Sequence, residues 1–591
     1  MPSYTITPAD PAGHLFAVEL HLENPSPKQH FWLPAWIPGS YMIRDFARHV
    51  LNMRATLQDG TPVGLQQLDK QTWVAEQPGK QALTLRYQVY AWDLSVRSAY
   101  LDQSRAFFNG SSVFLAPRDH ESSPCQMTIN PPSATVDGQW RVATSMTKHS
   151  VNTEGFGSYH CVNYDELIDH PVEISDFAYG QFEVEGVRHD IVLSGRHNAD
   201  MTRLEQDLAK ICQHHIRFWR IPAPVSHYVF MTAVLGNGGG GLEHRASTAL
   251  MTSRSSLPSK GMTDTTPGYR DYLGLCSHEY FHTWNVKRLK PRVFLPYQLE
   301  QESYTELLWW FEGITSYYDD LGVLRAGCIS VEHYLERLSQ LLTRVVRGPG
   351  RLQQSMAESS FNAWTKFYKQ DENASNAIVS YYTKGALFAL YLDLTIRLGT
   401  DGKQSLDDLV RALWQRHSQD GVPEHGIPEV ARDVIDCDLS AAFQLGLYGT
   451  EDLPLEPLLE QFGVQTTWGT AESLKRAGGQ KSHIKEGQCS LGAYFDNHPM
   501  GAKARVVLSG SAAHKAGIST GDVIIALDHV QTDAAQIDEQ IALRQPGERI
   551  DVHLFRRDEL RHHVVIAEVG AATTCVLTIS DKAATSRWLG V

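Results

Sequence analysis

The stretch CSHEYFHTW, residues 276–284, constrains this chain more than any other. His278 and His282 stand four residues apart, so a helix projects both imidazoles from one face toward a common point. The surrounding YRDYLGLCSHEYFHTW carries apolar residues at helical spacing, which predicts that helix. Two neutral imidazoles at this spacing bind Zn2+. Glu279, one step round the helix, is placed to take a proton from water rather than to ligate. A plain helix with two packing histidines is the blander reading, and a third ligand decides between the two. YTELLWWFEGITSYY, residues 304–318, supplies Glu312 amid Trp309, Trp310, Phe311 and Ile314. A carboxylate on so apolar a helix is costly unless it is paired or bound to metal. The 29 residues between His282 and Glu312 are enough for a helix end, a loop and an antiparallel return, and position 288 is Arg, so no third histidine stands at metzincin spacing. The reading is one Zn2+ per chain, held by His278, His282 and Glu312 with a fourth position open. The adjacent pairs His214 with His215 and His562 with His563 diverge on a helix or strand and are read as surface or packing residues.

At 591 residues the chain exceeds one core, and about 150 residues per domain suggests roughly four units. Lys and Arg number 53 against 67 Asp and Glu, a formal charge of −14, which argues against a general nucleic-acid binder. The beginning of the chain lacks a basic, then apolar, leader pattern, and no stretch reaches the ~18 apolar residues of a membrane span. The expectation is a soluble, cytoplasmic protein without a membrane partner. Eight scattered cysteines with no CxxC suit reduced thiols. Residues 1–170 read as an all-β domain of short alternating runs such as HLFAVELHL. Residues 171–465 keep strands at IVLSG and HYVFMTAVL, then turn helical, and WGTAESLKRAGGQKSHIKEGQ reads as a polar join to a last module over 482–570. The fold class is multidomain α+β.

GNGGGGLEH, residues 236–244, follows the HYVFMTAVL strand. Gly236, Gly238 and Gly241 satisfy G-x-G-x-x-G, but LEHRASTALMT has too little helical periodicity for a dinucleotide loop. The glycines therefore lie between extended segments, where bare backbone at Gly240 and Gly241 lets another chain approach closely.

Together HEYFHTWNVKR, WWFEGITSYY, GGGGLEH and YYTKGALFALYL resemble the glycyl aminopeptidase family of gluzincin zinc metallopeptidases with a C-terminal PDZ domain, distant relatives of the aminopeptidase N type. WIPGSYMIRDFARH, residues 36–49, resembles the same family's N-terminal domain. The resemblance implies a β-sandwich-like N-terminal domain and a thermolysin-like catalytic domain acting on peptides with a free N-terminus, with small Gly or Ala preferred there. It implies that Glu243 holds the substrate α-amino group and that Tyr382, two residues before Lys384-Gly385, donates to the oxyanion; the adjacent Tyr381 is the alternative donor, and a packing tyrosine is the plain reading of either. Asp319 is a candidate to orient an imidazole. The sequence departs from the aminopeptidase N pattern in its longer gap before Glu312 and in GLEH, where those enzymes carry methionine and asparagine around the glutamate. LGAYFDNHPMGAKARVVLSGSAAHKAGISTGDVIIALD is similar to a bacterial PDZ domain, with Leu491, Gly492, Ala493 and Tyr494 in place of the carboxylate-binding loop for a peptide C-terminus. The competing readings are a zinc endopeptidase, for which Glu243 would not matter, and a PDZ-based peptide-binding protein without activity.

Overall fold

The computed structural model describes residues 1–76 and 81–591. It divides into two compact units, Met1–Ser303 with Ser418–Gly421, and Tyr304–His417 with Val422–Val591. The division falls inside the central stretch that the sequence suggests as one domain.

The first unit opens β-rich. Ser3–Asp10 and Leu15–Leu22 alternate buried and half-buried residues and pair antiparallel. They belong to an eight-stranded sheet, accompanied by two four-stranded sheets. A five-stranded sheet follows, in the order Ala178–Val184, Val187–Ser194, His227–Leu235, Ser247–Ser253, Gly240–Glu243. Its three middle strands are parallel, because the helix Met201–Trp219 carries the chain across, whereas Gly240–Glu243 returns antiparallel at the edge. The first glycines turn between the two extended segments, as expected, and Gly240 and Gly241 open an edge strand to which a peptide can add. Helix Pro267–Phe281 starts where the Thr266 hydroxyl accepts the Tyr269 N–H at 3.2 Å and Pro267 takes the first position, and it ends at His282.

The second unit is helical, then β. The Glu312 segment begins with a π-helical turn, Trp309–Ile314, and continues as Thr315–Arg325. Helices Val331–Arg347 and Thr383–Gly399 follow. In the last module, Ala493–His498 is the edge strand of a sheet continuing through Gly501–Val507, Val523–Leu527, Arg549–Arg556 and Glu559–Ile566. Phe495, Ile524, Ile541 and Leu554 lie in its core. The polar join read as beginning at Trp468 has its first two residues, Trp468 and Gly469, inside a strand. Val464–Gly469 is a strand, antiparallel to Thr574–Ile579, and the latter rests on helix Val331–Arg347 through Cys575 N–H to Thr343 Oγ1 at 2.9 Å and Leu577 N–H to Ser339 Oγ at 3.0 Å. The module is therefore an insertion between two paired strands. Its polar flank has little alternation to reveal this in sequence. No helix among the described residues is long and apolar enough to cross a membrane, and no disulfide joins any of the eight cysteines.

Candidate active site

In the first unit the helix turns both motif histidines toward one point, with their Nε2 atoms 3.0 Å apart. Two ligands on a tetrahedral zinc with bonds of about 2.0–2.1 Å stand about 3.3 Å from one another, so the pair fits such an ion. His282 Nδ1 donates to the Asn285 carbonyl at 2.7 Å, which fixes the tautomer and leaves Nε2 as the ligand nitrogen. Glu279 is buried, 4% exposed. Its carboxylate lies against the edge strand, where a Cβ on Gly241 would come within 2.6 Å of its Cδ. Gly240, at φ +129°, has nothing within 4 Å of such a Cβ. The two glycines read as one feature in sequence therefore differ: Gly240 borders open space, and Gly241 makes room for Glu279.

Glu243 is equally buried. Gly39, at φ +94°, lies on its carboxylate so closely that a Cβ would overlap both oxygens. Segment 36–49 is held there by Trp36 Nε1–H donating to the carbonyls of Gln298 and Gln301, each at 2.9 Å, and by Ala35 N–H to Leu299 O at 2.7 Å. Sequence reasoning used this segment only to recognise a domain and missed Gly39; the signal was a glycine in a PGSY turn, where a positive φ is common. One ligand atom each from Glu243, Glu279 and His282 lies within 4.8 Å of the others, all three buried. Two buried carboxylates this close concentrate negative charge that calls for a cation.

The residues after Glu243 enter a different arrangement. Asp169 pairs with Lys287 Nζ at 2.7 Å and accepts the Arg245 N–H at 2.9 Å, with His244 Nδ1 at 3.5 Å. Burial works to raise the Asp169 pKa, but Lys287 and Arg245 prevail and hold it well below the usual carboxylate range. Lys290, 4.4 Å over the Tyr297 ring, is pushed down to about 7 by burial and then by Arg245 and Lys287.

In the second unit, Glu312 is 1% exposed on the π-helical turn, a form of helix enriched at functional sites. Gly313 packs onto Gly385 so tightly that a Cβ would stand 2.6 Å from the Gly385 Cα and 2.8 Å from the Tyr381 carbonyl. This contact sets the Glu312 turn against the start of helix Thr383–Gly399, which explains the glycines in FEG and TKG. Burial first, and then the Glu312 carboxylate, push the Tyr382 hydroxyl well above its usual value, so it remains a donor at neutral pH. The Tyr368 hydroxyl, which sequence reasoning missed, is 3.4 Å from it. Tyr381 stacks on Tyr382 with centroids 4.8 Å apart and is fully buried. Asp319 Oδ1 accepts the Asp320 N–H at 2.5 Å.

In the last module Leu491 is buried in the core, and Gly492, at φ +67°, packs on Ser511. The Gly492 N–H donates to Ser490 Oγ at 3.1 Å, so this amide is already used, contrary to what a carboxylate-binding loop would leave open. Ala493 and Tyr494 begin the edge strand opposite Val507 and Val506, and Arg505 lies 5.5 Å over the Tyr494 ring.

A helix presenting HExxH, beside an edge strand bearing a buried glutamate, is the arrangement of a metallo-aminopeptidase. Residues 3–176 match the Peptidase M61 N-terminal domain, and residues 271–388, which contain His278, Glu279, His282, Glu312 and Tyr382, match M61 glycyl aminopeptidase. The crystal structure of an aminopeptidase N family protein from Idiomarina loihiensis is 43% identical over 100% of both chains, with a TM-score of 0.96. An M1 zinc metallopeptidase from Deinococcus radiodurans is 15% identical, covering 77% of this chain and 94% of its own, with a TM-score of 0.47. Yeast LTA4 hydrolase in complex with bestatin is 14% identical, covering 77% of this chain and 68% of its own, at 0.48. No curated protein matches. The chain belongs to the M61 glycyl aminopeptidase family.

Proposed function

We propose that the protein is a zinc aminopeptidase that releases small residues, Gly or Ala, from the free N-terminus of peptides. The observation that carries this is the convergence of the buried Glu243 and Glu279 carboxylates with His282. One carboxylate beside a metal ligand suits a general base, and a second on an edge strand suits an ammonium partner. His278, His282 and Glu312 are proposed to hold one Zn2+; bound there, zinc supplies a Lewis acid for the scissile carbonyl. The substrate backbone lies along Gly240–Glu243, and its α-ammonium pairs with Glu243. Glu279 takes a proton from the attacking water and returns it to the leaving amine, while Tyr382 O–H donates to the developing oxyanion. The preference for small residues is supported by the family and by Gly39, whose backbone occupies the space beside the Glu243 carboxylate. The last module, read as PDZ-like, would accept an extended peptide along Ala493–His498.

Metal analysis with a panel of amino-acid arylamides tests this reading. One zinc per chain and the highest rates on glycyl and alanyl substrates are expected. His278→Ala, His282→Ala and Glu312→Ala should each lose the metal. Full zinc content in Glu312→Ala would require another third ligand.

A further inference from the structure

A cavity of about 390 Å³ in the second unit is lined on one side by the end of helix Val331–Arg347 and the residues after it, and on the other by the last module around Gly492 and Ser511. Its volume is at the lower end of the ~300–1,000 Å³ usual for small-ligand sites. Arg347 lines it and is 8% exposed. A guanidinium has five N–H donors. Here one nitrogen donates to the Leu474 carbonyl and another to Thr574 Oγ1, each at 2.9 Å, and Tyr494 is the remaining hydrogen-bonding neighbour. Nε has no hydrogen-bond partner among the described residues. All these neighbours are neutral.

The acidic groups nearby are taken. Glu568 lines the cavity but pairs with Lys515 at 2.7 Å, and the neighbouring Arg351 is matched by Asp452 at 2.7 Å. A buried guanidinium without a carboxylate is costly, and the open volume beside it is where an anion would offset that cost. Leu352, Leu508 and Val569 give the lining apolar stretches among the hydroxyls of Thr470, Ser490, Ser509, Ser511 and Thr573.

We propose that this cavity is a carboxylate site: Arg347 pairs with the carboxylate of a ligand whose apolar stem lies against Leu352, Leu508 and Val569. The last residue of a peptide and a free hydrophobic amino acid share this chemistry. The site does not depend on strand addition at Ala493–His498, and it requires residues of the helical region that the last module alone lacks.

Calorimetry on the full chain carrying Glu279→Gln, so that nothing is hydrolysed, tests it with three probes: acetyl-Gly-Gly-Leu, its C-terminal amide, and acetyl-leucine. The free acid should bind, and the amide should bind at least about tenfold more weakly, the loss expected when one partner of a buried charge pair is removed. Arg347→Met should erase that difference, while the same substitution in the active enzyme leaves hydrolysis of an alanyl arylamide unchanged. Val569→Trp, which adds a ring to the cavity wall while keeping Arg347 itself, should abolish binding of the acid and guards against misfolding of the arginine variant. Acetyl-leucine binding as tightly as the tripeptide would assign the site to a free amino acid, and tighter tripeptide binding would assign it to a peptide terminus. Equal affinity for acid and amide, no binding of the acid at millimolar concentration, undiminished binding to a folded Val569→Trp protein, or undiminished discrimination in Arg347→Met would overturn the proposal.

Discussion

Glu243 and Arg245 are two residues apart and belong to opposite kinds of charge cluster. Arg245, with Lys287, encloses Asp169 in a cluster whose charges are answered within the protein. Glu243 and Glu279 gather two carboxylates around His282, a proposed zinc ligand. The first arrangement holds a fold together, since Asp169 lies in the β-rich portion and Lys287 follows the HExxH helix. The second sets two carboxylates side by side, where the proposed zinc and substrate ammonium would bind. Charge balance therefore separates residues that composition and position in the chain place side by side.

The largest effect should come from removing the base while keeping the shape of the acidic cluster. Glu279→Gln should retain zinc and lose about a thousandfold or more in kcat. In the balanced cluster the corresponding change should strike stability instead. Asp169→Asn leaves Lys287 buried without its partner, so thermal or urea unfolding should report a loss of about 3–5 kcal/mol, with zinc still bound in the folded protein. If Asp169→Asn instead abolished turnover in a stable protein, the cluster would have to be moved into the site.

Tyr382→Phe should lower kcat about a hundredfold with little change in KM, because its hydrogen bond forms mainly in the transition state. The same result from Tyr381→Phe would exchange their roles. Gly39→Ala adds a side chain onto the Glu243 carboxylate at a left-handed φ. It should raise KM for free-amino substrates by about tenfold at unchanged zinc content, and an unaltered KM would remove Gly39 from the amino-terminus site.

The smallest effect concerns acid. The folded pKa of Asp169 lies below its ordinary 3.8, so its contribution is full above pH 3.8 and is lost as pH falls through the folded value. The acid limb of the stability profile should be shallower in Asp169→Asn than in the parent, and identical limbs would mean the ion pair does not set acid sensitivity.

Local patterns made much of this readable in the sequence. The i, i+4 histidines needed only a helix, and the glycine run before β-branched residues needed only an extended return; both are present. The lone acid amid tryptophans pointed to Glu312, whose burial the structure bears out. What stayed hidden depends on contacts between distant segments. Gly39 is 204 positions from Glu243, Gly313 meets Gly385 across two helices, and Tyr368 reaches Tyr382 from a separate turn. The strand Thr574–Ile579 was missed because its partner lies beyond the intervening module. Charge balance is hidden for the same reason, since Asp169, Lys287 and Arg245 are scattered along the chain.

The central claim is that the acidic cluster at Glu243 receives a substrate's free amino group, and a pair of peptides tests it most directly. An alanyl peptide and its N-acetylated twin differ in the charge and donors that Glu243 would bind. The account predicts rapid hydrolysis of the first and none measurable of the second. It also predicts that Glu243→Ala, with its zinc retained, loses about 30-fold to several thousand-fold in kcat/KM on the free peptide, the equivalent of about 2–5 kcal/mol. Efficient cleavage of the acetylated peptide by the parent enzyme would contradict it.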